Sequence, residues 1–87
     1  MFKDLLLKSL DLLEEGGLAP GPGMDAAHEI CQDHEGQAMF DWIHALVQRI
    51  EGDDWNADYW YRRAGHSRHA GSVREEWQII RTAVDAL

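Results

Sequence analysis

The chain has 87 residues, with 16 acidic side chains against eight Lys and Arg, and a net charge of −8. This length fits one domain with a modest core, and the charge argues against sequence-independent binding to nucleic acid or to an anionic membrane, since both depend on phosphate neutralisation. The single cysteine, Cys31, excludes an internal disulfide and is typical of a cytoplasmic protein.

The first predicted helix, Phe2–Glu15, carries leucines at helical spacing. Charged residues such as Lys8 and Asp11 interrupt its apolar run, which argues against a signal peptide or a membrane span. Residues 16–23 hold four glycines and two prolines and predict a hinge, because neither residue type continues a helix. The helix is expected to pack either against its own chain or, across that hinge, against a second subunit.

The second and third predicted helices differ in their apolar patterns. The second begins near Asp25, an N-cap candidate, and has a narrow apolar stripe into which His34 also falls. The third, residues 37–51, places seven apolar side chains within an arc of about 160°. Its opposite face is expected to point away from the core and consists of Asp41, Ala45, Gln48 and Arg49. The two apolar stripes are out of phase, so we predict a break near Gly36, with one continuous helix as the alternative.

Two further helices complete the predicted fold. Gly52 and Asp53 make a turn into a fourth helix, residues 54–64, which forms a hairpin with the third. Ser72 followed by Glu75 is a capping-box pattern that opens a fifth helix, whose apolar repeat extends to Leu87. No segment alternates with the period of two that a strand requires. The sequence therefore predicts an all-α fold, a small four- to five-helix bundle forming a single domain over residues 1–87.

Small and aromatic residues lie where the two helices of the hairpin cross and turn: Ala45, Gly52, Asp53, Ala57, Tyr61 and Ala64. This pattern resembles a single tetratricopeptide or Sel1-like repeat. The string EGDxxNAxYWYRRAG, residues 51–65, also resembles a motif of small uncharacterised bacterial and fungal proteins, and that resemblance brings no established activity. The tetratricopeptide resemblance implies a bundle built on a TPR-like hairpin, with a scaffold or peptide-binding role.

One face of the fourth helix is not explained by its own core stripe. Trp55, Tyr59, Arg62 and Arg63 share this face, and aromatic residues beside arginine are enriched at interaction hot spots. We therefore predict a non-catalytic protein-interaction or self-association module, either a homodimer or bound to a protein or peptide partner. The alternative is that helix one or a second subunit simply covers the aromatic side chains, while Asp58 pairs with Arg62 along the helix.

The charge is distributed unevenly along the chain. Residues 1–58 hold 13 acidic and three basic side chains, whereas residues 59–87 hold three acidic and five basic ones. The basic side chains between residues 59 and 74 are Arg62, Arg63, Arg68 and Arg74. This cluster could hold a phosphate or an acidic peptide, and Arg68 and Arg74 are predicted to add charge to the interaction face. Its alternative role is to pair with the acidic half of the same chain or of a second copy.

A small metal-binding protein or metalloenzyme is the second predicted function. On the second helix, His28, Cys31 and Glu35 lie at a spacing that can aim imidazole, thiolate and carboxylate at one point. On the third helix, Asp41 and His44 add a carboxylate and an imidazole. None of the strong zinc signatures is present, and the alternative is that these histidines occupy solvated or boundary positions.

Other chemistry has little support in the sequence. The acidic residues near Cys31 are expected to raise its pKa, which argues against a cysteine nucleophile. No serine lies in a nucleophile-elbow context, and no glycine-rich phosphate loop is present. His34 is expected to be a buried histidine that is hydrogen-bonded to the backbone. No cofactor is predicted, and the sequence leans against an enzyme.

Overall fold

Residues 2–87 are described by a computed structural model, in which the chain is all-α and has no strand within that range. The five helices are α1 (Phe2–Glu15), α2 (Pro22–Gln32), α3 (Ala38–Glu51), α4 (Asp54–Ala64) and α5 (Val73–Asp85). They pack into a small bundle around one hydrophobic core, which confirms the predicted fold class. None of the five helices in this range has the length and apolar character needed to cross a bilayer.

The observed helix bounds differ from the predicted ones mainly at α2. The break before α3 is confirmed, and residues 33–37 form a turn in which Gly36 adopts a φ of 92°. However, α2 begins at Pro22 and not near Asp25, because proline suits the first turn of a helix, where its missing N–H is not needed. The same helix ends at Gln32, so the residues after it are not helical.

The central helix of the bundle is α3, which packs against all four other helices. Every residue from Phe40 to Gln48 is buried, including Asp41, whose exposed fraction is 1%. The prediction that Asp41, Ala45 and Gln48 point away from the core is therefore wrong. The reason is that α2 and α4 pack on α3 in addition to α1 and α5, so the middle of α3 has no face left for solvent.

The first helix packs in cis, on α2, α3 and α5. Residues 16–21 form the turn that leads from α1 into α2, and the two helices cross closely there. A Cβ atom added at Gly23 would lie only 2.5 Å from the Leu12 carbonyl oxygen. Glycine is therefore required at this position for steric reasons, since any side chain would push α2 away from α1.

The last helix, α5, closes the bundle against α1. Its predicted capping box is confirmed, because the Ser72 hydroxyl accepts the Glu75 N–H and the Glu75 carboxylate accepts the Ser72 N–H. The buried Trp77 indole N–H donates to the Leu10 carbonyl at 2.9 Å. At the surface, Arg81 pairs with Asp11 at 2.9 Å. These contacts join the two ends of the chain.

A buried ion pair ties α5 to the α3–α4 hairpin. Arg49 Nη1 lies 2.6 Å from Glu76 Oε1, and the Tyr61 hydroxyl donates to the same oxygen at 2.8 Å. Arg49 also donates to the carbonyls of His69 and Gly71 at 3.1 and 2.5 Å, which holds the loop before α5. Burial, together with the hydrogen bond to Glu76, raises the pKa of Tyr61 above its ordinary range.

The close crossing of α1 and α2 makes a prediction for Gly23. Replacing Gly23 by Ala should lower the free energy of unfolding by about 1–3 kcal/mol, because the new methyl group meets backbone that cannot move aside. A Gly→Ala change inside a helix otherwise stabilises by up to about 1 kcal/mol, so the sign of the effect is informative. Urea denaturation measures it.

The matched control is Gly16→Ala, whose added Cβ meets nothing closer than 3.5 Å. This variant should change the free energy of unfolding by less than about 0.5 kcal/mol. A Gly23→Ala protein as stable as the parent would contradict the close approach of the two helices.

The buried ion pair makes a second prediction. Replacing Arg49 by Met leaves the Glu76 carboxylate buried without a counter-charge and should cost about 3–5 kcal/mol. Adding Glu76→Leu to that variant should recover most of the loss, because the double variant buries no charge. Arg68→Met, which breaks an exposed pair with Asp54, should cost less than about 1 kcal/mol in the same denaturation experiment. Equal losses for Arg49→Met and Arg68→Met would show that the buried pair has no special role.

Candidate interaction face and buried histidine pair

The orientation of α4 is set by one small-residue side that packs on α3. Ala57, Tyr61 and Ala64 are buried on this side, as the sequence predicted for the hairpin. Asp53 caps the helix by accepting the Asn56 N–H at 3.2 Å. With these residues turned toward α3, the opposite side of α4 necessarily points outward.

The outward side of α4 carries the four residues predicted for interaction. We call Trp55, Tyr59, Arg62 and Arg63 the α4 face. The Trp55 side chain is 77% exposed and Tyr59 is 39% exposed, and both arginines are exposed. Among the helices of residues 2–87, α4 packs on α3 and touches α5 through the hydrogen bond from Tyr61 to Glu76. The alternative that helix one covers these aromatic side chains is therefore not what the structure shows.

Arg63 is held in a defined position on this face. Its Nη1 donates to the Tyr59 hydroxyl at 3.1 Å, and its guanidinium carbon lies 5.2 Å from the Trp60 ring centroid and 5.8 Å from that of Tyr59. Its Nε lies 4.0 Å from the buried Asp41 carboxylate. Hydrogen bonding to Tyr59 raises the pKa of Arg63. An arginine already ordered on aromatic rings loses little further freedom when a partner binds.

The predicted helical pair between Asp58 and Arg62 does not form. Within residues 2–87, neither side chain takes part in an ion pair. Both are exposed on α4, one turn apart. The exposed side of α4 therefore offers an unpaired acid, Asp58, and an unpaired base, Arg62, beside the exposed aromatic rings of the α4 face.

The rest of the predicted basic cluster is divided between two places. Arg68 pairs with Asp54 at 2.8 Å, at the start of α4. Arg74 pairs with Glu14 at 3.0 Å, on the side where α5 meets α1. Both arginines are thus neutralised by acids from the first 58 residues, as the alternative interpretation of the cluster expected. Of the four arginines in the predicted cluster, Arg62 and Arg63 are the two that lie exposed on the α4 face.

Of the five predicted metal ligands, the structure brings two together, while Asp41 instead accepts the Gly36 N–H. His28 on α2 and His44 on α3 place their Nε2 atoms 2.9 Å apart, with ring centroids at 4.6 Å and planes at 71°. The Gln48 amide nitrogen lies 3.4 Å from the His28 Nε2. Between Phe2 and Leu87, no three His, Cys, Asp or Glu side chains form a group that could hold a metal ion.

The other two predicted ligands do not join this pair. Glu35 lies beyond the end of α2, in the turn to α3, and is exposed, so the helical spacing assumed for it does not apply. Cys31 is fully buried, and burial together with the nearby Asp41 raises the pKa of its thiol to about 12. A thiol that stays protonated at neutral pH is neither a good ligand nor a nucleophile.

His44 has the more unusual environment of the two histidines. It is 2% exposed and stacks on the Trp60 ring at 3.8 Å, and its Nδ1 has no hydrogen-bond partner within residues 2–87. Burial, with added effects from His28 and Arg63, lowers the pKa of His44 to about 4. The fold therefore keeps this ring neutral at physiological pH.

Two participants in this region, Gln48 and Trp60, were not identified from the sequence, and Asp41 was predicted only as a metal ligand on the outward face of its helix. Asp41 accepts the Gly36 N–H at 3.2 Å and so fixes the turn before α3, while Gln48 and Trp60 flank the histidine pair. Asp41 and Gln48 could have been identified as part of this region from the spacing i, i+3, i+7 of the polar residues Asp41, His44 and Gln48 on an otherwise apolar helix. The predicted backbone hydrogen bond of His34 is confirmed, since its ring N–H donates to the Ile30 carbonyl at 2.9 Å, but the ring is half-buried and not buried as predicted.

The environment of His44 predicts a pH dependence of stability. The folded-state pKa near 4 lies below the ordinary value of 6.5, so protonation favours the unfolded chain. The contribution to the free energy of unfolding should fall as the pH drops below about 6.5 and should level off near pH 4, at a loss of roughly 3 kcal/mol. Urea denaturation between about pH 7 and pH 4 measures the slope.

Two variants isolate this contribution. His44→Gln removes the titrating ring, so this part of the slope should disappear, whereas His69→Gln in the loop before α5 should keep it. Identical pH profiles for the parent protein and His44→Gln would contradict the buried neutral histidine.

Comparisons with known proteins supply no function by similarity. No protein-family model matches the chain, and neither a curated protein nor a solved structure matches it. The tetratricopeptide-like character of the α3–α4 hairpin stays a prediction, as does the resemblance carried by residues 51–65. The function has to be argued from the α4 face and the histidine pair themselves.

Proposed function

We propose that this protein is a non-catalytic interaction module that self-associates through the α4 face. The exposed Trp55 side chain carries the proposal, because a ring of this size left 77% exposed is the residue type most enriched at binding hot spots. A buried tryptophan removes on the order of 150–250 Å² from water, so covering it is strongly favourable. Tyr59 and the ordered Arg63 extend the same face.

The charges on α4 favour a second copy of this chain as the partner. Along the exposed side, Asp58 is followed one turn later by Arg62, and neither forms an ion pair in its own chain within residues 2–87. Two α4 helices packed antiparallel about a two-fold axis would bring Asp58 of each copy within reach of Arg62 of the other. The face is therefore complementary to itself, as a two-fold interface requires.

The same arrangement accounts for the aromatic residues. An axis that passes near Tyr59 sets Trp55 of one copy opposite Arg63 of the other, a pairing that adds a cation–π contact to the ion pairs. The helix has 11 residues and is about 16 Å long, so the shared area lies at the low end of specific interfaces. We therefore expect a dissociation constant in the micromolar range.

Composition supports a protein partner in the cytoplasm. The net charge of −8 disfavours nucleic acid and anionic lipid, as both would be repelled. The only cysteine is a free, buried thiol, which accords with a reducing compartment.

Sedimentation velocity over a range of protein concentrations tests the proposal. The parent protein should show a reversible monomer–dimer equilibrium, and Trp55→Ala should weaken it at least about tenfold, since hot-spot truncations cost 2 kcal/mol or more. Ile79→Ala is the matched control, because this side chain is also exposed, at 43%, but lies on α5. It should leave the equilibrium unchanged.

A charge exchange tests the two-fold arrangement itself. Asp58→Arg and Arg62→Asp should each weaken the dimer, because each places like charges opposite one another. The double variant should restore it, since the exchanged charges again face opposite charges across the axis. A parent protein that stays monomeric at all concentrations, or a double variant as weak as its singles, would rule out self-association through the α4 face.

A further inference from the structure

We infer that His28 and His44 form a binding site for one divalent late first-row transition-metal ion, with Cu²⁺ and Ni²⁺ preferred over Zn²⁺. The site lies between α2 and α3 and does not use the α4 face, so it goes beyond the proposed function. The two imidazoles come from different helices, and Gln48 lies beside them.

The distances between the two rings fit two ligands on one ion. Metal–imidazole bonds of about 2.0–2.1 Å at a 90° angle put the two ligand nitrogens about 2.9 Å apart, whereas a tetrahedral angle puts them about 3.3 Å apart. The observed separation of the Nε2 atoms is 2.9 Å. Right-angled coordination is typical of square-planar and octahedral ions, and affinity for nitrogen sites rises from Ni²⁺ to Cu²⁺ and falls again at Zn²⁺.

The two histidines meet in a hydrogen bond between their Nε2 atoms, and the ring centroids show that this bond is bent. A linear N–H···N bond of the same length would hold the centroids about 5.2 Å apart, because each centroid lies about 1.15 Å behind its nitrogen. The observed distance is 4.6 Å. Rings inclined toward a shared point, with both nitrogens about 2 Å from it, give a distance of this size.

The surroundings supply one fixed ring and one partly exposed ring. Trp60 stacks on His44 at 3.8 Å with planes only 16° apart, which fixes the orientation of that ligand. His28 is half-buried, so one ligand of the pair is partly exposed at the protein surface. The Gln48 amide can present its oxygen instead of its nitrogen by a half-turn, and water can complete the shell.

Two features limit the affinity. Only two imidazoles and one amide come from the protein, and the Arg63 guanidinium lies near enough to act on His44. A cation beside the site opposes another cation. We therefore expect binding in the micromolar range.

Calorimetric titration of the untagged protein with NiCl₂ tests the site. One Ni²⁺ should bind per chain, and His28→Gln and His44→Gln should each raise the dissociation constant at least about tenfold. His34→Gln is the matched control, because this histidine is also half-buried near the end of α2 but bonds only to the backbone. Circular dichroism establishes that each variant is folded, and His28, being partly exposed, keeps the test valid if His44→Gln unfolds.

Electron paramagnetic resonance of the Cu²⁺ complex gives an independent readout on the parent protein. Coupling to two imidazole nitrogens, reduced to one in His28→Gln, supports the site. Absence of Ni²⁺ binding, unchanged binding in His28→Gln, or loss of binding in His34→Gln would each overturn it. Trp55→Ala should keep the metal and His28→Gln should keep the dimer, so this inference and the proposed function can fail separately.

Discussion

A helix that is buried on every side has to satisfy its polar side chains without water, and α3 does so for Asp41, Gln48 and Arg49 with partners from its neighbours. An unpartnered buried polar group costs about 1–3 kcal/mol, a large share of the stability of a domain this small. Asp41 takes the Gly36 N–H and faces Arg63, while His44 meets His28. At the far end of the helix, Arg49 leaves the core and neutralises Glu76. These contacts fix α2, α4 and α5 around α3.

Both candidate sites are consequences of that central helix. Because α2 and α4 cover the polar side of α3 from two directions, a histidine from α2 and a tryptophan from α4 come to lie on either side of His44. The same packing turns the small residues of α4 inward and leaves Trp55 and Tyr59 outside. Arg63 connects the two regions, since it lies on Tyr59 and Trp60 and approaches Asp41. A partner bound to the α4 face would therefore be separated from the histidine pair by a single layer of side chains.

Sequence patterns within a few residues predicted much of this fold, but they did not predict which polar side chains are buried. The bounds of α4, the capping box of α5 and the break at Gly36 follow from glycine, caps and apolar spacing within a few residues. The outward position of Trp55 was predictable for the same reason, because it lies opposite the stripe of Ala57, Tyr61 and Ala64 that α4 buries. The burial of Asp41 was not, since it depends on α2 and α4 together. The prediction that Glu35 is a metal ligand was wrong because α2 starts and ends earlier than its sequence pattern indicated.

The most direct test of the central role of α3 is solvent paramagnetic relaxation, measured by NMR with a soluble gadolinium chelate. If α3 is covered on all sides, protons of residues 40–48 should show uniformly weak enhancement, while the Trp55 indole shows a strong one. A periodic enhancement along α3, with maxima at Asp41 and Gln48, would mean that this side of the helix faces water. That result would contradict the buried histidine pair and the packing of α2 and α4 on which both sites depend.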